Sequence, residues 1–197
     1  MIKSKIAVFA SGSGSNAEEI FKYFSDNDSV EVVLLLTNNP SAYAITRAQR
    51  HGIPSKTFDR RSLMDSDVML KWLAEYDITH IVLAGFMWLI PDYLVKSFPN
   101  RIINIHPALL PKYGGKGMYG AKVHQAVKNA GETETGITIH LVNEKYDEGA
   151  ILFQAKCKIE TSDDAESIAE KIHRLEHASY PTVIESWILA SRQGPNF

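Results

Sequence analysis

Continuous apolar runs alternate with helix-like stretches along most of this 197-residue chain, and this alternation limits the folds that are possible. The runs predict strands at residues 6–10, 30–36, 81–84, 102–105, 137–142 and 151–159. Helical periodicity predicts helices near residues 17–25, 42–51, 63–75, 91–97 and 121–129. The early strands are apolar throughout, as expected when helices cover both faces of a parallel sheet. We therefore predict a Rossmann-like, doubly wound α/β fold with a mostly parallel sheet.

The last third of the chain departs from this alternation. Only a short loop with Asp147 and Gly149 separates the last two predicted strands, which leaves no room for a crossover helix. Both strands should therefore be antiparallel additions near the C-terminal end of the sheet. A helical region follows, with apolar residues at helical spacing on both sides of Pro181. No repeat or linker divides the sequence, and we predict one domain over residues 1–197.

Charge and cysteine content argue against several classes of function. The chain has 21 basic and 23 acidic residues without a long run of either sign, which disfavours general binding to nucleic acid or to a membrane surface. Its single cysteine, Cys157, cannot form an internal disulfide and has no partners at metal-ligand spacing, so we expect no metal. The N-terminus is too briefly apolar for a signal peptide, and no stretch reaches membrane-spanning length. We expect a cytoplasmic protein.

A polar pair, Asn104 and His106, lies at the end of the predicted strand at residues 102–105. Alternate side chains of a strand share a face, so these two should project together while Ile105 turns into the core. An amide can donate to a developing oxyanion, and an imidazole can move protons near neutral pH. With a carboxylate from elsewhere, the pair could help an amine to attack a carbonyl. A polar strand end in which the histidine caps a turn is the alternative.

A turn rich in glycine and serine, at residues 10–16, joins the first strand to the first helix. Its free N–H groups, with the side chains of Ser15 and Asn16, suit an anion. The glycine spacing differs from that of a dinucleotide-binding loop, and no Lys-Ser/Thr pair follows. A single phosphate monoester is therefore the better ligand, and a tight turn with a capping serine is the alternative.

Three later segments could complete a site. Residues 83–90 offer an apolar wall for a flat aromatic ligand, although core packing explains the same residues. The glycine-rich loop Gly114–Gly120 could be a mobile lid or an ordinary surface loop. Asp147 could favour the charged form of His106 and fix its tautomer. His140, on the preceding strand, could be a core histidine.

Six segments occur in an order and spacing that resembles the folate-dependent formyltransferases over nearly the whole chain: SGSGSN, LAGFM, NIHPALLPKY, TGITIHLV, DEGAILFQ and LEHASYP. The similarity is strongest to the members that act in purine synthesis. It implies transfer of a formyl group from 10-formyltetrahydrofolate to the primary amine of glycinamide ribonucleotide, by direct attack through a tetrahedral intermediate and without a metal. It further implies two small-molecule partners, no nucleic acid or membrane, and either a monomer or a homodimer.

The same resemblance assigns roles to residues by their position. The catalytic trio would be Asn104, His106 and Asp147. The ribonucleotide would contact Gly14, Ser15 and Asn16 through its phosphate and Glu176 through its ribose. The folate would contact Met87, Leu89, Ile90, Val95, Val142 and Asn143. Trp88 stands where some relatives carry a basic residue, so no role is transferred to it, and without the resemblance Glu176 would be interpreted as a solvated helix residue.

Other functions are less favoured by the sequence. A formyltransferase for initiator tRNA usually adds a basic domain, and a formyltetrahydrofolate hydrolase usually adds an N-terminal regulatory domain. We expect neither, because charge is balanced and the first strand begins within six residues of the start. A binding protein for folate or a sugar phosphate would not need the trio, and a dinucleotide-dependent oxidoreductase would show a different glycine spacing.

Overall fold

One sheet of seven strands organises the chain in the computed structural model, which describes residues 2–192. The strands are β1 (Ser4–Phe9), β2 (Val30–Thr37), β3 (Ser55–Thr57), β4 (His80–Leu83), β5 (Ile102–His106), β6 (Glu134–Leu141) and β7 (Ile151–Lys158). Their order is β3-β2-β1-β4-β5-β6-β7. The first five are parallel, whereas β6 is antiparallel to β5 and β7 is antiparallel to β6. The predicted α/β fold, with antiparallel strands added after a parallel sheet, is confirmed.

Helices cover both faces of this sheet. They are α1 (Ser15–Phe24), α2 (Tyr43–Arg50), α3 (Arg60–Met64), α4 (Ser66–Glu75), α5 (Asp92–Ser97), α6 (Ala121–Asn129) and α7 (Ala165–Ser191). The buried side chains form two clusters, one on each side of the sheet. In β1, Ile6 and Val8 belong to one cluster while Ala7 and Phe9 belong to the other. A strand buried on both faces must be apolar throughout, which explains the continuous runs in the sequence.

Two details differ from the sequence-based prediction. The single helix predicted at residues 63–75 is wrong, because Asp65 divides this region into α3 and α4. The carboxylate of Asp65 accepts hydrogen bonds from the N–H groups of Asp67 and Val68, at 3.0 and 3.3 Å, and so caps the start of α4. The short strand β3 was not predicted, since three residues at the sheet edge with partly exposed side chains form no apolar run.

The long helix α7 is fixed to the carboxyl end of β4. Its Tyr180 is fully buried and its hydroxyl donates a hydrogen bond to the carbonyl oxygen of Leu83 at 2.8 Å. The helix continues through Pro181, whose missing N–H removes one helical hydrogen bond, because buried residues pack on both sides of it. Glu176, one turn before Tyr180, is thereby held near the ends of the central strands. Within residues 2–192, no helix is both long and apolar enough to cross a membrane.

Candidate active site

A cleft of about 600 Å³ opens at the carboxyl ends of β1, β4 and β5. Parallel strands end at one edge of a sheet, so the loops that follow them meet there. The cleft is lined by most of the residues assigned from the sequence: Gly14, Ser15, Asn16, Met87, Leu89, Ile90, Asn104, His106, Val142, Asp147 and Glu176. Val95 and Asn143 do not line it. Val95 packs against a core cluster, and Asn143 stabilises a turn by accepting a hydrogen bond from the N–H of Lys145.

The register of β5 and β6 places Asn104 directly opposite His140. The Nδ2 atom of Asn104 lies 3.1 Å from His140 Nε2, and His140 Nδ1 lies 2.8 Å from the carbonyl oxygen of Leu141. Because a carbonyl only accepts, His140 Nδ1 carries a hydrogen, and the Asn104 amide nitrogen, which only donates, faces Nε2. This network orients the Asn104 amide and leaves its second N–H for a ligand in the cleft.

His106 is only 3% exposed. One of its ring nitrogens is hydrogen-bonded to a backbone carbonyl, and the other faces Asp147. Its Nε2 lies 2.8 Å from the carbonyl oxygen of Tyr113, and its Nδ1 lies 3.6 Å from Asp147 Oδ2. Burial lowers the pKa of His106 below its ordinary 6.5, outweighing the Asp147 carboxylate and the Tyr113 carbonyl, which raise it. Asp147 thus favours the charged form of His106, as expected from the sequence, but burial has the larger effect and the net shift favours the neutral ring.

Asp147 lies between the two histidines in the loop from β6 to β7. One carboxylate oxygen accepts a hydrogen bond from the N–H of Gly115 at 2.9 Å, and the other lies 3.5 Å from His140 Nε2. Burial alone would raise the pKa of Asp147, but contacts with His140, His106 and Gly115 lower it below its ordinary value. Asp147 also has a φ of 56°, which is uncommon for a residue other than glycine. An ionised carboxylate in a constrained loop is thus held beside His106.

The turn before α1 presents backbone N–H groups to the cleft. Gly14 has a φ of 72°, and a Cβ atom there would lie 2.6 Å from the Cβ of Ala44. Its carbonyl oxygen accepts the N–H of Glu18 at 2.9 Å, so the helix begins here. The first N–H groups of a helix have no partners within it and favour an anion. A helix start of this kind can bind an anion, and the assignment of this turn to a phosphate stays a prediction.

Changing Gly14 to alanine should therefore disturb this turn. We expect Gly14→Ala to lower the free energy of unfolding by about 2 kcal/mol, because of the left-handed backbone and the contact with Ala44. The affinity for a phosphorylated ligand should also fall. Denaturant unfolding measures the first effect, with Gly12→Ala as the control, since a Cβ at Gly12 meets no atom within 4 Å. Equal stability of the two variants would contradict the argument.

Glu176 is buried rather than solvated. Only 5% of it is exposed, and its carboxylate accepts a hydrogen bond from Asn16 Nδ2 at 3.0 Å. Burial raises the pKa of Glu176 to about 7, against the smaller lowering effect of Asn16. The interpretation as a surface residue is wrong, whereas the assignment based on the resemblance placed Glu176 at the ligand. The Oδ1 atom of Asn16 is buried and, among residues 2–192, has no hydrogen-bond partner.

Several cleft residues were missed by the sequence reasoning. The sequence-based assignment gives no role to His140, although its position on the strand before Asp147 could have indicated one. His124 and His173 line the cleft from α6 and α7, and burial lowers the pKa of His124 to about 4. Arg60 lines it as well, with its guanidinium carbon 5.5 Å from the centre of the Trp88 ring. Arg60 comes from a distant helix, and no sequence pattern connects it to the cleft.

Comparison with known proteins shows which family the chain belongs to. The sequence profile of the family described as "Formyl transferase" matches residues 4–184. The chain belongs to the formyl transferase family. This family uses a folate-derived formyl donor. Within residues 2–192, no group of three or more His, Cys, Asp or Glu side chains is arranged to hold a metal ion.

Three relatives in this family share one name. A protein of Bacillus subtilis named phosphoribosylglycinamide formyltransferase is 37% identical over 96% of this chain and 97% of its own length. A chloroplastic protein of that name from Arabidopsis thaliana is 42% identical over 92% of this chain, which spans only 64% of that protein. The crystal structure of phosphoribosylglycinamide formyltransferase from Anaplasma phagocytophilum superposes with a TM-score of 0.87 at 34% identity, over 96% of this chain and 88% of that one.

Proposed function

We propose that this chain transfers the formyl group of 10-formyltetrahydrofolate to the amine of glycinamide ribonucleotide. The products are formylglycinamide ribonucleotide and tetrahydrofolate. The observation that carries the proposal is that one cleft contains a phosphate-type turn, an apolar wall, and a polar cluster of Asn104, His106 and Asp147. The names of the relatives in Bacillus subtilis and Anaplasma phagocytophilum support the same reaction.

The two substrates would enter from opposite sides of the polar cluster. The ribonucleotide phosphate would lie at the start of α1, against Gly14, Ser15 and Asn16, with its ribose near Glu176. The flat ring of the folate would pack on the apolar wall of Met87, Leu89, Ile90 and Val142. Contacts of the folate with Val95 and Asn143 would require the cleft to extend beyond the residues that line it now. The amine and the formyl carbon would then meet beside Asn104 and His106.

The chemistry follows from the hydrogen-bond network of these residues. The amine attacks the formyl carbon, and the carbonyl oxygen becomes an oxyanion that the second N–H of Asn104 stabilises. The neutral His106 ring can accept a proton at Nδ1, and Asp147 then stabilises the imidazolium. That proton comes from the attacking nitrogen, and a water held by Asp147 then carries it from the imidazolium to the leaving N10, so that His106 becomes neutral again. The C–N10 bond breaks as the oxyanion collapses, which gives the formylated amine and protonated N10.

The location in the cell and the oligomeric state stay predictions. A cytoplasmic location is our proposal, although relatives from Arabidopsis thaliana and Vigna unguiculata carry "chloroplastic" in their names. Residues of one chain line the cleft, so the proposed reaction is compatible with either a monomer or a homodimer.

Release of tetrahydrofolate from 10-formyltetrahydrofolate tests the proposed reaction. We expect an absorbance change only when glycinamide ribonucleotide is present, with formylated ribonucleotide as the product. Release without the ribonucleotide would identify a hydrolase. Binding of both compounds without release would identify a binding protein, and either result would refute the proposal.

A further inference from the structure

The segment from Tyr113 to Gly115 contacts two members of the catalytic trio through its backbone. The carbonyl oxygen of Tyr113 accepts the hydrogen bond from His106 Nε2, and the N–H of Gly115 donates to Asp147 Oδ2. The Tyr113 side chain does not line the cleft and packs against a core cluster instead. The position of this backbone therefore affects both the imidazole and the carboxylate.

A single carboxylate outside the cleft holds this segment in place. Glu132, in the connection between α6 and β6, accepts hydrogen bonds from the Tyr113 hydroxyl at 2.8 Å and from Lys112 Nζ at 2.9 Å. Tyr113 has a φ of 58°, a conformation that is unfavourable for a bulky residue and that persists only where surrounding contacts hold it. The hydrogen bond between Tyr113 and Glu132 is such a contact.

The Tyr113 carbonyl, 2.8 Å from Nε2, competes with the Asp147 carboxylate, 3.6 Å from Nδ1, for the hydrogen of a neutral His106 ring, and the carbonyl is the closer acceptor. A carbonyl oxygen only accepts, so it favours the tautomer with Nε2–H and leaves the lone pair on Nδ1, facing Asp147. In the opposite tautomer, Nδ1–H would point toward Asp147 and could not accept a proton from an attacking amine. Displacement of the carbonyl would allow this inactive tautomer.

We propose that Glu132 and the Tyr113 hydroxyl are positioning residues that set the tautomer of His106 from outside the cleft. Neither side chain lines the cleft. Their effect passes through the backbone carbonyl of Tyr113 to the imidazole. The consequence for turnover rests on the proposed formyl transfer, whereas the consequence for the tautomer does not.

Two disruptive variants and one conservative variant test this proposal. Tyr113→Phe and Glu132→Ala remove the hydrogen bond, whereas Glu132→Gln keeps an oxygen that can accept it. Since one hydrogen bond contributes about 0.5–1.5 kcal/mol, we expect kcat to fall roughly three- to tenfold in the first two, with little change in KM. Glu132→Gln should restore most of kcat. Lys112→Met is the matched control, because it removes the other partner of Glu132 and leaves the bond to Tyr113.

The tautomer itself is measured by NMR on the ligand-free protein, through the correlations between ring nitrogens and carbon-bound ring hydrogens. We expect His106 to show Nε2–H in the unmodified chain, in Glu132→Gln and in Lys112→Met. Tyr113→Phe and Glu132→Ala should show a mixture with Nδ1–H. An unchanged tautomer in both variants would overturn the proposal, even if they melt at a lower temperature. The NMR result holds whether or not the chain uses the ribonucleotide, so failure of the proposed reaction is recognised separately.

Discussion

Changing Asn104 to alanine is expected to lower kcat for formyl transfer by about 100- to 1000-fold. The amide N–H that faces the cleft is oriented before the substrate arrives, because His140 accepts the other amide hydrogen. A donor fixed in this way stabilises the oxyanion without any reorganisation during the reaction. KM for both substrates should change much less, since the interaction strengthens only as negative charge develops on the oxygen.

Steady-state kinetics with both substrates varied would measure this effect. Asn129→Ala is a matched control, because Asn129 is an exposed asparagine on α6 outside the cleft lining. Unfolding curves are needed as well, since the alanine leaves His140 Nε2 without its amide partner. A kcat within about threefold of that of the unmodified chain, with the fold intact, would mean that the loss of transition-state stabilisation is below about 1 kcal/mol. That result would exclude an oxyanion role for Asn104.

The fold was largely predictable because burial on both faces constrains the composition of a strand. In β1, alternate residues enter opposite core clusters, so neither face tolerates polar side chains and the strand is easily recognised. The start of α4 was missed although Asp65 is a typical capping residue, since the helical periodicity continues across it. The three residues of β3 depend on pairing with β2 rather than on their own pattern.

Residues of the candidate site were predictable where their side chains follow the alternation within one strand. They were not predictable where their positions depend on the pairing of two strands or on burial by distant parts of the chain. Asn104 and His106 share a face of β5, as alternation requires. The contact with His140 depends on the register of β5 and β6, and a shift of one residue would place Ile139 or Leu141 opposite Asn104. The Tyr113 carbonyl is a backbone group, which every residue possesses, so no sequence pattern marks it.

The stability of the chain should depend on pH through Glu176. Its pKa is about 7 in the folded chain, against the ordinary value of 4.5. The folded state thus binds a proton more tightly than the unfolded state. The resulting contribution to stability is fully present below pH 4.5 and is lost as the pH rises through 7. A difference of about 2.5 pKa units corresponds to roughly 3 kcal/mol.

The glutamine in Glu176→Gln cannot ionise, so the free energy of unfolding of this variant should not show the loss at high pH. We expect the variant to gain about 3 kcal/mol relative to the unmodified chain between pH 4.5 and pH 8.5. Denaturant unfolding of both proteins at each pH would measure the gain. Glu170→Gln is a matched control, because Glu170 is exposed on the same helix and should give nearly the same difference at both pH values.

The Glu176 experiment also tests the charge assigned to His106. Burial is the largest cause of both shifts: it raises the pKa of the Glu176 carboxyl and lowers the pKa of the His106 imidazole. Each change favours the uncharged form at neutral pH, because both side chains are buried beside the same cleft. If Glu176→Gln gains no stability at high pH, the cleft solvates a carboxylate well, and the argument for a neutral His106 loses its basis. If the gain is found, burial beside this cleft disfavours a charged group, as argued for the imidazole of His106.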